Sequence, residues 1–194
     1  MVRLYRECRP VEWALREVDV DYFVESITFE ESDLEPVTGH PPLIELEGMR
    51  LWAPAAALDE LGVRFGEPLY PPPNVRPQVR QWIFTWLGWH ASGRFDHVLG
   101  ARRRMMLAPP SDPKRFESEL TDAMEAGARY LVALNIHLRA NKYVVGGRFT
   151  VADIATAESV RRAEEGGADL EPLVSLCLWL GRVSARDAFA APSR

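Results

Sequence analysis

The chain has 194 residues, 47% of them apolar and 26% charged, with 23 Lys and Arg against 28 Asp and Glu for a formal net charge of −5. That length can bury about 70% of the unfolded surface, and no run approaches the roughly 18 apolar residues of a membrane helix. The negative balance offers no broad attraction to phosphate backbones, so neither a membrane nor a nucleic acid is expected as partner. The only two cysteines, Cys8 and Cys177, stand in no CxxC or Cys/His spacing, which argues against a disulfide framework or a zinc site, and Asp96 has no matching ligand set, so no metal is expected. Arg3, Arg6, Glu7 and Arg9 interrupt the place of an apolar signal core, and a cytoplasmic location is expected.

The N-terminal third alternates between element types. Pro10 fits the first turn of a helix carrying Val11, Ala14, Leu15 and Val18 on one face. Strand character follows from Tyr22 to Phe29, and a hairpin is predicted from Pro42–Leu46 and Met49–Trp52 around Glu47-Gly48. Ala55 to Leu61 reads as a helix stopped by Gly62. Gly66 to Asn74 contains three successive prolines, which favour extended polyproline geometry and mark a boundary.

Beyond that boundary the pattern is helical. Val75, Val79, Trp82, Ile83, Trp86, Leu87 and His90 recur at helical intervals. After Ala108-Pro-Pro-Ser-Asp-Pro113, the residues Phe116, Leu120, Met124, Gly127, Leu131, Leu134 and Leu138 share one face of a second long helix, expected to pair with the first. Thr150 and Asp153 form a capping box, with Phe149 and Ile154 placed as a hydrophobic staple, and that helix runs to Gly166-Gly167. A last helix is expected from Leu170 to about Ala185.

Gly147-Arg-Phe-Thr-Val-Ala-Asp-Ile-Ala155 and Val79-Arg-Gln-Trp-Ile-Phe84 resemble signature segments of the glutathione S-transferase superfamily. Pro10-Val-Glu-Trp-Ala-Leu-Arg-Glu17 resembles the first helix of that family's thioredoxin-like half, and Pro42 falls where the family has its cis-proline. The resemblance implies an α+β fold: a reduced thioredoxin-like α/β domain over residues 1–66, a proline-rich linker over 67–74 and an all-α helical domain over 75–194. It also implies a homodimer.

Family members bind glutathione through the thioredoxin-like half, and a Glu/Asp-Ser pair opening the helix after the hairpin holds its γ-glutamyl group. Ala53-Pro54 stands in that place. The stretch from Leu4 to Val11 is shorter than the usual catalytic loop, and only about ten residues lie between Phe29 and Gly39-His40-Pro41, where the family fits an additional helix. Two lost charge-assisted contacts, each roughly 1.5–3 kcal/mol, weaken binding about a hundredfold or more. Glutathione is therefore disfavoured as cofactor, and no other cofactor is expected.

The candidate chemistry rests on few side chains. Cys8 precedes the first helix, whose positive end, with Arg6 and Arg9, is expected to lower its pKa; the alternative is an inert cysteine. Tyr5 can act as a general acid or thiol activator, or be the packed end of a strand. His90, Arg94 and His97 at i, i+4 and i+7 align two imidazoles and a guanidinium, able to move a proton and hold an enolate or carboxylate; the plainer reading is a capped stripe and a solvated histidine. Trp86, Trp89 and Phe84, with Pro42, are candidates to line an apolar pocket, though Trp82 and Trp86 also fit a core stripe. Arg102-Arg-Arg104 reads as a solvated helix end or an acidic-ligand contact.

The expected function is a glutathione-transferase-like enzyme for a hydrophobic small molecule, performing isomerisation, elimination or cyclisation in specialised metabolism. The alternatives are a transferase that conjugates a thiol through a rearranged site, and a non-catalytic ligand-binding or interaction module.

Overall fold

Four short strands form one mixed sheet in the order β2-β1-β3-β4: β1 (Val2–Leu4), β2 (Tyr22–Val24), β3 (Ile44–Leu46) and β4 (Met49–Leu51). The structure, a computed structural model, describes residues 2–25, 42–72, 74–91 and 113–190, and over 86–91 it describes the backbone alone. Strands β1 and β2 run parallel, which requires a crossover, and α1 (Arg9–Glu17) supplies it. Strand β3 is antiparallel to both β1 and β4. Period-two alternation sends Val2, Leu4, Ile44 and Leu46 into the core. Arg3 and Arg50 are register partners of Glu45 on the opposite face. The predicted hairpin is present, and Glu47 (φ 50°) and Gly48 (φ 87°) both take the left-handed conformation that a two-residue turn needs.

Helix α1 buries Val11, Ala14 and Leu15, as its apolar spacing predicts, with Pro10 in the first turn. Glu12 is also buried, at 1% exposure, because its carboxylate accepts from the Cys8 N–H (3.1 Å) and the Tyr22 hydroxyl (3.1 Å), tying the helix start to β2. Arg16 joins the same group through Tyr22 and Glu12.

Helix α2 spans Pro54–Phe65 and passes through Gly62, which is not the stop that the sequence suggests. Gly66, at φ +70°, ends it instead. Gly62 is small for another reason: a Cβ there would lie 2.8 Å from Cδ1 of Tyr70. The proline-rich segment is correspondingly no free polyproline rod. Its Glu67–Pro68 bond is cis, Leu69 and Tyr70 are buried, and Leu69 O accepts from the Val151 N–H at 3.0 Å.

Among the described residues the remaining helices are α3 (Arg76–Ala91), α4 (Pro113–Ala140), α5 (Val151–Glu165), α6 (Val174–Ser184) and α7 (Asp187–Ala190). Helix α5 is central: it packs on α3, on α1 and α2, and on α6. Its capping box is present, with Thr150 Oγ1 accepting from the Ala152 N–H (3.2 Å) and Asp153 Oδ2 from the Thr150 N–H (3.0 Å). Asp153 Oδ1 also accepts from Val144 N–H (2.9 Å) and Trp179 Nε1 (2.8 Å). The helix ends at Gly166-Gly167, where Gly167 N–H returns to Glu164 O and Ala168 N–H to Ala163 O, with Gly167 at φ +92°.

Gly127, Leu131, Leu134 and Leu138 are buried on α4 as the stripe predicts, while Met124 is exposed. Helix α4 meets α3 where Trp82 packs on His137, ring centroids 4.7 Å apart. The last predicted helix is α6, which starts only at Val174 because Leu170–Leu173 form a turn, and a short further helix, α7, follows a break at Ala185-Arg186. Among the described residues no helix is long and apolar enough to cross a membrane.

Candidate functional site

The end of β1, the start of α1 and the start of α2 meet at one corner of the sheet. The chain leaves β1 at Tyr5, whose N–H donates to Leu43 O (2.9 Å), and reaches α1 within five residues. Arg6, in that short connection, donates from its guanidinium to Trp52 O at 3.4 Å. Trp52 directly precedes Ala53-Pro54, and its buried Nε1 has no hydrogen-bond partner among the described residues. Ala53 is the N-cap of α2 in extended conformation; no side chain caps the helix and no acidic residue stands in its first turn. Among the described residues the corner therefore presents backbone N–H donors and a guanidinium, and the N-cap and first turn of α2 carry neither a carboxylate nor a hydroxyl.

Cys8 is the N-cap of α1, half-buried, but its thiol is not activated. Burial pushes its pKa up to about 11, with Glu158 and Glu12 adding to the rise, and the Val11 amide and Arg6 offsetting only part of it. The expectation of a lowered pKa is thus corrected. Burial strips water from the thiolate, and here that desolvation outweighs what the helix end and the nearby cation return. The sulfur caps no N–H of α1, and the Cys8 N–H at the helix entry donates to the Glu12 carboxylate.

Tyr5 is buried, and its hydroxyl donates to Glu45 Oε2 at 2.8 Å. Burial and that carboxylate raise its pKa, while the same hydrogen bond, with Arg50, holds Glu45 below its ordinary value. The packed strand end is the arrangement observed, with the polar tip committed to the outer face of the sheet.

Pro42 is buried beside Leu43, whose N–H pairs with Leu51 O; Pro41 and the geometry of the bond between them lie outside the described residues. Phe84 is 63% exposed on α3, away from the buried Val79 and Ile83. Trp86, Trp89 and His90 lie on the described backbone of α3, while Arg94, His97 and Arg102–Arg104 fall outside the described residues, as do Ser26–Pro41. Sequence reasoning missed Arg6, Trp52 and Glu12 as parts of this corner. Glu12 carries the only available signal, being an acidic residue interleaved with the apolar face of α1.

Residues 81–187, more than half of the chain, match the family model described as Glutathione S-transferase, C-terminal domain, and the chain belongs to the glutathione S-transferase family. A glutathione S-transferase from Pseudomonas fluorescens Pf-5 superposes with a TM-score of 0.75 over 98% of both chains at 22% identity. A glutathione transferase family member from Pseudomonas fluorescens Pf-5, solved with two glutathione molecules bound, gives 0.76 over 97% of this chain and 90% of that one, at 22% identity. A delta-class glutathione transferase of Nilaparvata lugens gives 0.70 over 98% and 91%, at 25% identity. The small mixed sheet followed by helices is the glutathione-transferase-like fold.

Proposed function

We propose that this chain is an enzyme that uses the glutathione-transferase scaffold on a hydrophobic small molecule without ordinary use of glutathione, its reaction an isomerisation, elimination or cyclisation. The observation that carries the reading is the bare start of α2: Ala53 caps with no side chain, Pro54 follows, and no acidic side chain stands in the first turn. A γ-glutamyl ammonium would find no carboxylate there, and a carboxylate no hydroxyl. Each missing charge-assisted contact is worth roughly 1.5–3 kcal/mol.

The neighbouring groups support the same reading. A thiol with its pKa near 11 is almost wholly protonated at neutral pH, so Cys8 is a poor nucleophile, and the Tyr5 proton is already engaged by Glu45. Arg6, an exposed guanidinium at this corner, can hold an acceptor group of a substrate, a carboxylate or carbonyl oxygen. In this reading His90 or His97 moves the proton, Arg94 steadies the developing negative charge, and Trp86, Trp89 and Phe84 offer apolar surface. The chain acts as a homodimer in the cytoplasm, as the family expectation has it.

The test is a conjugation assay with glutathione and an activated aryl halide. The expected rate equals the uncatalysed one at every glutathione concentration. Saturable turnover with a micromolar glutathione requirement overturns the reading.

A further inference from the structure

A cavity of about 480 Å³ opens between the middle of α4 and the turn that joins α5 to α6, apart from the corner formed by β1, α1 and α2. That volume falls within the range of roughly 300–1,000 Å³ typical of small-molecule sites. Small residues create it: Ala128 on α4 faces Ala163 and the glycine pair that ends α5, leaving space that larger side chains would fill. Leu131 and Leu173 give it apolar walls.

Among the described residues the charged side chains of the lining are both carboxylates, Glu125 and Asp169. Neither has an ion-pair partner among the described residues, and Asp169 is oriented by accepting the Glu171 N–H on Oδ1 at 3.0 Å. The C-terminal end of α5 adds to the same polarity. Its closing bonds satisfy Ala163 O and Glu164 O, but the helix still directs its negative pole at the glycine turn lining the cavity. An anion would meet repulsion from three directions, and a neutral apolar body would leave the two carboxylates unused.

We infer that this cavity binds an amphipathic amine, a small molecule with an apolar body in the space between Ala128 and Ala163 and a single positive charge held by Glu125 and Asp169. The site is independent of the function proposed above, because none of these residues belongs to the groups assigned there.

The probes are a matched pair of equal shape and opposite charge, 4-phenylbutylamine and 4-phenylbutanoate, titrated calorimetrically into the full-length protein. The amine is expected to bind saturably at millimolar concentration or below, roughly tenfold or more tighter than the acid. Glu125→Gln with Asp169→Asn, both at exposed positions, should remove most of that preference, leaving only the part due to the end of α5, without lowering the melting temperature. Ala128→Leu, which fills the cavity from an exposed helical position, should weaken the amine at least roughly tenfold in a folded protein. Equal binding of the two probes, failure of both to bind, a preference undiminished in the double variant, or undiminished binding to Ala128→Leu overturns the inference.

Discussion

Both carboxylate oxygens of Glu17 accept from Arg186, Oε1 from Nε at 2.7 Å and Oε2 from Nη2 at 2.6 Å, across 169 positions of sequence. Glu17 Oε1 also accepts from Trp13 Nε1 (2.9 Å), and the Arg186 guanidinium lies 3.9 Å from the centroid of Phe149. One arginine thus ties the first helix to the break between α6 and α7 and covers the residue just before the α5 cap. Arg186→Ala should cost about 1.5–3 kcal/mol in urea unfolding, since it strands a carboxylate that is only 5% exposed. Arg186→Lys should recover only part, because an ammonium cannot reproduce the paired geometry. An alanine variant as stable as the parent contradicts this role.

Gly62 and Tyr70 make a second coupled pair. In an open helix Gly62→Ala would stabilise by about 0.5–1 kcal/mol, but here the new Cβ meets the Tyr70 ring at 2.8 Å. The substitution should therefore destabilise the parent and become neutral or stabilising in a Tyr70→Ala background. A double-mutant cycle showing simple additivity would refute the close approach.

Asp153 titrates in the fold at about 6, raised from its ordinary 3.8 chiefly by burial despite the Val144, Trp179 and Thr150 donors. Between those values the folded chain holds a proton that the unfolded chain has released. The contribution is therefore complete below about 4 and is lost as pH rises through about 6. Asp153→Asn removes this titration, while its amide NH2 opposes the Thr150 N–H. The stability margin of the parent over Asp153→Asn should narrow by about 1–3 kcal/mol from pH 4 to pH 7. A margin that widens with pH would show the carboxylate to be the favoured buried form.

Cys8 should alkylate slowly. With its thiol pKa near 11, the iodoacetamide rate at Cys8, followed by peptide mass spectrometry, should still be rising roughly tenfold per pH unit at pH 9. A rate that levels off below pH 8 would restore the activated thiol.

These cases also mark where the sequence is transparent. The Thr150–Asp153 box is legible because its partners are three residues apart and the bonding is local. The Trp179 and Val144 bonds that complete it join elements no periodicity connects. Gly62 reads as a helix stop from composition, yet its smallness answers to Tyr70, a neighbour only in the folded chain. Cys8 fails for the same reason: its sequence neighbours are visible in advance and its burial is not. The bare entry of α2 is readable from Ala53-Pro54, but Arg6 and the unpartnered Trp52 indole beside it emerge only when β1 and β4 are brought into one sheet.

The account turns on whether the start of α2 can grip a tripeptide. Calorimetric titration of glutathione into the parent protein and into Ala53→Glu/Pro54→Ser, which supplies a carboxylate and a hydroxyl, tests it directly. The account predicts no saturable binding by the parent below millimolar concentration and a gain of roughly tenfold or more in the double variant. Micromolar binding by the parent would contradict it.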